Sequence, residues 1–387
     1  MNKPLIKWPG GKSSEIRQFL SLIPDYDRYI EPFVGGGALY FYLRPQSAII
    51  NDISENLMEF YRLVKENDPE LHRILDLQCR SFDALKNQCR HRFADLMNLY
   101  LLIDFADREK LDISRLGICG QLVREIAGHE SVLCELIPDR EEFFRVMERS
   151  VEDKLIRTAR NNRKKTFSEK DLKANIVTGF TGGYYLYFRG VFNDIAARRM
   201  LCSPPYRAAN FYFIREYCYG SMFRYNSNGE FNIPYGGVSY DKKDLHAKIE
   251  AIFSEETISL LARTQLFCQD FEELMNSLTI TERDFLFLDP PYDTEFSDYE
   301  GKDFAREDQR RLAAFLEKTS AKFLLVIKNT EFIAALYANL PFRVLTVENR
   351  YSYNVRSRND RRSEHLLITN IPEDTIPWLR ENRELEI

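Results

Sequence analysis

The residue types at Asp289-Pro290-Pro291-Tyr292 could do chemistry. Two prolines end a hydrogen-bonded ladder, because neither donates a backbone N–H and each fixes its own φ. Asp289 is therefore left at the end of whatever strand precedes it, and the Pro290 carbonyl is one that no neighbouring strand must take. Tyr292 adds a flat ring a few residues on. A carboxylate, an untaken carbonyl and an aromatic face suit one task, holding a planar heterocycle by its exocyclic amine. The plain alternative is an ordinary tight exit from a strand, which strand-Asp-Pro sequences also make.

The elements that must position this tetrad follow from apolar runs. Residues 285–288 are continuously apolar, the pattern of a strand buried on both faces of a parallel sheet. Open α/β sheets bind ligands beyond the carboxyl ends of such strands. Residues 29–37 predict a strand, then Gly35-Gly36-Gly37, then a helix opening at Ala38. Three glycines permit a tight turn under a cofactor. Residues 48–51 form a second apolar run ending at Asp52, 17 residues beyond Gly35 and close to the ~20-residue spacing at which an acid reaches a ribose hydroxyl. The N-terminal Lys7-Trp8-Pro9-Gly10-Gly11-Lys12 carries a Gly-Gly turn that lets backbone approach a ligand. Ser13 or Ser14 would cap the helix that follows, with Lys12 beside its N-terminus. Further strands are predicted at Lys322–Lys328, 342–347 and 365–369.

Bulk properties bound the answer. The chain has 387 residues, 44% hydrophobic and 29% charged, as expected of a globular protein with two or three domains. A formal net charge of −5 gives no global basic footprint, so nucleic-acid binding requires positive charge gathered on one face. No apolar run approaches the roughly 20 residues of a membrane helix. The N-terminus lacks the apolar core of a signal peptide. Seven cysteines, without a C-x-x-C pair, predict reduced thiols in the cytoplasm and no metal centre.

In their order along the chain, KWPGGK, EPFVGGG and DPPY resemble the Dam-type (alpha-group) DNA adenine-N6 methyltransferases. The resemblance covers about residues 2–70 and 210–370. It implies an α/β, Rossmann-like methyltransferase sheet with helices on both faces, formed by residues 1–70 and 250–387. A mostly helical target-recognition domain at 71–249 would carry a helical insertion at about 75–205 and a DNA-reading β-hairpin at about 215–240. It implies S-adenosylmethionine as cofactor, contacted by Trp8, Gly11, Lys12, Glu31, Phe33, Gly35, Gly37, Asp52 and Asp289. Asp270 and Phe271, after the 264–267 segment, would flank the cofactor's adenine, although core packing is an equal alternative for Phe271. Asp289, Pro290 and Tyr292 become the catalytic set. Asp289 and the Pro290 carbonyl would accept the two hydrogens of a flipped adenine's amine while Tyr292 stacks on the base.

The resemblance also implies double-stranded DNA as partner and a monomer that works alone, beside a cognate restriction endonuclease, or in phage defence. Asn228-Gly229 is a strong turn signal inside the expected DNA-reading hairpin. Tyr219 matches its intercalating aromatic and Arg224 its contacting arginine, with Met222 and Asn226 beside them. Gly220 departs from the polar amide usual there, which leaves the target sequence, GATC by default, in doubt. Arg350, Arg356, Arg358 and Arg361 match a basic loop suited to phosphate contact. The basic run at 154–165 is expected to be a solvated helix face, with phosphate contact as the alternative. Residues 178–185 break the helical pattern and are expected to form a hinge or ligand-facing loop. Residues 294–306 are expected to close over a bound base. The same tetrad would also serve a cytosine N4 amine or an RNA adenine.

Overall fold

A computed structural model describes residues 3–110, 117–292, 298–299, 302–350 and 362–372. The chain divides into two compact units. The first comprises Met1–Asn67, Phe223–Tyr225 and Ala251–Ile387, and the second Asp68–Met222 and Asn226–Glu250.

Among the described residues nine strands lie in the first unit: β1 (Arg28–Glu31), β2 (Ala48–Asn51), β3 (Thr264–Phe267), β4 (Asp284–Leu288), β5 (Asp298–Tyr299), β6 (Lys302–Asp303), β7 (Lys322–Lys328), β8 (Arg343–Arg350) and β9 (Arg362–Thr369). Seven form one sheet in the order β3-β2-β1-β4-β7-β9-β8, and β5 pairs with β6. From β3 to β7 the neighbours run parallel, and β9 is antiparallel to both β7 and β8. The apolar runs explain this. All five residues of β4 are buried, as a strand covered on both faces requires. On one face Leu286, Leu288, Phe323 and Leu325 join Leu274, Leu312 and Leu316 from the helices Phe271–Ser277 and Arg306–Lys318. On the other, Phe287 stacks on Phe19 at 5.7 Å and Phe285 on Tyr26 at 5.6 Å.

The strand order reverses between β1 and β4, which pair in register at Ile30 and Leu286. That reversal opens a crevice beyond their carboxyl ends, where Glu31 ends β1 and Asp289 follows β4.

The second unit is built on long helices, among them Pro69–His91, Phe93–Glu109, Arg140–Lys164, Glu169–Ala196 and Pro204–Tyr217. Their starts are written in the sequence. Asp68, Asp139, Ser168 and Ser203 each accept a hydrogen bond from a backbone N–H in the first turn. Residues 178–185, expected to be a hinge or loop, instead lie in the middle of the helix Glu169–Ala196 and are buried. Their glycines admit a neighbouring helix rather than a bend. A Cβ on Gly179 would sit 3.2 Å from the Val151 Cα, and one on Gly183 would sit 3.1 Å from the Met147 Cα and 2.7 Å from its Sδ.

This packing makes a paired prediction. Gly183→Ala gains up to about 1 kcal/mol of helix propensity but forces the Met147 backbone aside, at about 1–3 kcal/mol. Gly190, in the same helix, has nothing within 4 Å of its would-be Cβ. Thermal unfolding should therefore show Gly183→Ala lowering the melting temperature and Gly190→Ala raising it.

Candidate active site

Asp289 leaves the sheet through two prolines, so its side chain is set by contacts from elsewhere. The Lys12 ammonium provides them. Its Nζ donates to Asp289 Oδ1 at 2.6 Å, the Tyr292 hydroxyl at 2.7 Å and the Gly10 carbonyl at 2.9 Å, one acceptor for each of its three protons. Gly10, at φ +71°, makes the turn that delivers Lys12, which is buried to 1% exposure. Lys12 thus reaches the acid of the tetrad, 277 residues away in sequence. A fifth of the Asp289 side chain stays open to solvent. Burial raises its pKa above the ordinary carboxylate value, and Lys12 partly offsets the rise.

Among the described residues, no donor reaches Asp289 Oδ2 or the Pro290 carbonyl. The Pro291 carbonyl differs, since it accepts from Gln309 Nε2 at 2.9 Å. Gln309 is fully buried on the apolar stripe that carries Leu312, Ala313 and Leu316. A polar residue three positions before Leu312 was the signal in the sequence that could have found this support.

The neighbouring strand ends add two more acids. Glu31 is 2% exposed, and its Oε2 accepts from the Tyr29 hydroxyl at 3.0 Å, an i,i+2 pair on one face of β1. Burial pushes its carboxyl well above the usual range; the Tyr29 hydrogen bond opposes this, and the charges of Asp289 and Asp52 add to it. Asp52 accepts from the Gly35 N–H through one oxygen and the Ser54 N–H through the other, each at 3.0 Å. It therefore ties the glycine turn to β2. Gly35 (φ +47°) lies under the Trp8 ring, whose Cδ1 would be 2.5 Å from a Cβ there. The Trp8 ring meets Phe223 edge-on at 5.0 Å. Gly11 precedes the short turn Lys12–Ser14, and Gly37 (φ +68°) precedes the helix Ala38–Leu43. Asn51 bonds the Pro32 and Gln269 carbonyls and accepts from the Gln269 N–H, joining three strand ends; sequence reasoning missed it, though it closes an apolar run.

Beyond β3, Asp270 caps the helix Phe271–Ser277, accepting from the Glu272 N–H at 2.9 Å, and pairs with Arg311 Nη2 at 2.6 Å. Phe271 is 3% exposed within the core, under the Arg311 guanidinium at 4.9 Å. It packs in the cluster that holds Leu274 and Met275. Phe33 is half-buried and lies 5.4 Å from the Phe271 ring and 5.5 Å from that of Phe304.

In the region of the expected hairpin, Cys218 and Tyr235 form an antiparallel bridge, Tyr219 N–H donates to the Pro234 carbonyl at 2.9 Å, and Asn226 N–H donates to the Glu230 carbonyl at 2.9 Å around the Asn228-Gly229 turn. Tyr219 is half-buried, and the Met222 carbonyl accepts from the buried Arg215 at 3.0 Å. Gly220 and Ser221 take left-handed backbone, at φ +65° and +55°. Arg224 is exposed. The Asn226 Oδ1 accepts from the Asn228 and Glu230 N–H groups, so its side chain holds its own turn. In the basic run, Arg160 and Arg163 pair with Asp107 and Asp104 at 2.5 and 2.6 Å, which fits the charged-face reading. Arg350 ends β8; its side chain, Arg356, Arg358, Arg361 and, within 294–306, residues 294–297 and 300–301 lie outside the described residues. Among the described residues, no helix is long and apolar enough to cross a membrane.

Comparison with known proteins agrees with this geometry. A family model for the D12 class N6 adenine-specific DNA methyltransferases matches residues 8–120 and 138–353. The chain is 24% identical over 375 residues to the Type II methyltransferase M.CviBI of Paramecium bursaria Chlorella virus NC1A, covering 95% of this chain and 99% of that protein. It is 27% identical over 389 residues to the Type II methyltransferase M.MjaIII of Methanocaldococcus jannaschii, covering 95% and 98%. It is 25% identical over 350 residues to the DNA N-6-adenine-methyltransferase of Escherichia phage P1, covering 88% of this chain and 32% of that protein. With the family model spanning most of the chain, the protein belongs to the D12 class of N6 adenine-specific DNA methyltransferases.

Proposed function

We propose that the protein moves a methyl group from S-adenosylmethionine to the N6 amine of an adenine swung out of duplex DNA. One observation carries the reading: at the end of β4 one Asp289 oxygen is anchored by Lys12, and among the described residues no donor takes the other oxygen or the adjacent Pro290 carbonyl. Two acceptors with no donor of their own suit an amine with two hydrogens.

The donor fits the charges around it. Burial and mutual repulsion raise the Glu31 carboxyl, and Asp52 and Asp289 contribute to that repulsion, so a cation is the ligand that relieves it. S-adenosylmethionine carries an ammonium and a sulfonium and supplies an electrophilic methyl group. Glu31 would face the positive methionine end, with Trp8 and the Gly35–Gly37 turn beside it.

An adenine inside a duplex cannot reach a sheet edge, so the base must leave the stack at a cost of a few kcal/mol. Asp289 Oδ2 and the Pro290 carbonyl then accept the two N6 hydrogens. This biases the nitrogen lone pair, normally delocalised into the ring, toward the methyl carbon. Tyr292 packs on the base, with its hydroxyl held by Lys12. Transfer leaves an extra proton on N6, and Asp289 Oδ2 takes it, a role suited to a carboxylate whose pKa is raised by burial. Positioning supplies much of the barrier reduction.

On the DNA side, Tyr219, Met222 and Arg224 would meet bases, and Arg350, Arg356, Arg358 and Arg361 phosphates. GATC is the proposed target sequence. Monomeric action is likewise a proposal, as is pairing with a cognate restriction endonuclease, which the Type II names of the relatives support.

The test is methyl transfer from labelled S-adenosylmethionine to plasmid DNA, followed by mass spectrometry of the nucleosides. Labelled N6-methyladenine is expected. Label in N4-methylcytosine, or in duplex RNA in preference to DNA, would overturn the reading.

A further inference from the structure

Behind the tetrad lies a second buried pair that the reaction as described does not use. His365 Nδ1 and Glu15 Oε2 are 2.7 Å apart, and the two residues are 1% and 5% exposed. We propose that Glu15 and His365 are positioning residues that lock Lys12 and Tyr292, and through them Asp289, in the geometry for methyl transfer. The proposal rests on the reading of Asp289 given above.

Connectivity carries the argument. Glu15 closes the turn Lys12–Ser14, its backbone N–H donating to the Lys12 carbonyl at 2.8 Å. Fixing the Glu15 side chain therefore fixes the turn that aims the Lys12 ammonium. His365 stands on β9, paired with Lys328 on one side and Val347 on the other, so its backbone is held by the sheet. Its ring also lies 5.7 Å from that of Tyr292, tilted by 59°. A rigid strand thus holds both arms of the site, Lys12 through Glu15 and Tyr292 by direct packing.

Burial explains why Glu15 needs a partner. The three Lys12 protons already face Gly10, Asp289 and Tyr292. A buried carboxylate at Glu15 requires a donor of its own. The His365 Nδ1, 2.7 Å from Glu15 Oε2, meets that requirement from a ring that the sheet holds in place.

Single-turnover kinetics with DNA, together with separate binding measurements for S-adenosylmethionine and DNA, would test this. Glu15→Ala and His365→Ala should each lower the transfer rate about 10- to 100-fold, the loss expected from ~1 Å of misplacement, with both dissociation constants within threefold of wild type. Glu15→Gln keeps the acceptor for His365 and should recover most of the rate. The double alanine variant should be no slower than the slower single variant, because the two act as one unit. Wild-type rates in both alanine variants would overturn the proposal. So would rate and both affinities falling together with the folded fraction, since the pair would then only hold the fold; Glu15→Gln, which keeps the buried bond, decides this if the alanine variants do not fold. Asp289→Asn separates the two readings: if it stays active the tetrad assignment fails, whereas a silent Asp289→Asn beside a wild-type Glu15→Ala removes only the positioning role.

Discussion

Asp289→Asn should lower methyl transfer by about 10³-fold while leaving the fold and the affinity for S-adenosylmethionine nearly intact. The amide keeps the size of the side chain, and its carbonyl can still accept from Lys12 in place of Oδ1. Its nitrogen then stands where Oδ2 stood and presents hydrogens to an amine that also presents hydrogens. Losing one well-placed group that stabilises developing charge costs roughly 10²–10³ in rate, and setting a donor against a donor adds to that. Asp289→Ala is the poorer variant. It strips the buried Lys12 ammonium of the Asp289 carboxylate, and breaking a buried ion pair from one side costs about 3–5 kcal/mol. Rapid-quench transfer rates beside melting temperatures would distinguish lost chemistry from lost structure.

Lys12→Met should be the other large effect, and pH gives it a signature. Burial raises the Asp289 carboxyl above its ordinary value while Lys12 pulls it down. Without the ammonium most of the downward pull is lost while burial and the Glu15 charge still push up, so at a given pH less of the acid is ionised and able to accept. The rate near neutral pH should fall about 100-fold, and the acid limb of the profile should move to higher pH, with partial recovery as the medium becomes more alkaline. Stability moves the opposite way. A carboxyl whose folded pKa lies above its unfolded one binds more protons in the folded state, so stability present at low pH is lost as pH rises through the folded value. The methionine variant should therefore be destabilised most at neutral pH and approach wild type on acidification. A pH profile that keeps its shape would argue that Lys12 does not act on Asp289.

Much of this site could be read from the chain because it lies where the backbone pattern changes. Continuous apolar runs marked β1, β2, β4 and β7 to within a residue or so, with Glu31 ending β1 and Asp289 following β4 where the strand order reverses. Polar side chains that serve the backbone were harder to read. Asp52, Asp270 and Asn226 accept from nearby N–H groups, and no spacing rule says whether a ligand or an amide will occupy such an oxygen. Partners distant in sequence were invisible: Arg311 lies 41 residues from Asp270, and His365 lies 350 from Glu15. The glycines of 178–185 misled because propensity treats glycine as a breaker, whereas here close helix packing overrides that preference. The basic run reads as a charged helix face, but its partners Asp104 and Asp107, on another helix, could not be read from local spacing.

The most direct test is a structure of the protein with S-adenosylhomocysteine and a duplex carrying the target site. The expected result is an adenine rotated out of the helix, its N6 within hydrogen-bond distance of Asp289 Oδ2 and the Pro290 carbonyl, with Lys12 still on Oδ1 and Tyr292 against the base. An adenine left stacked in the duplex beside a fully assembled site, or an extruded base whose amine faces other groups, would contradict the account.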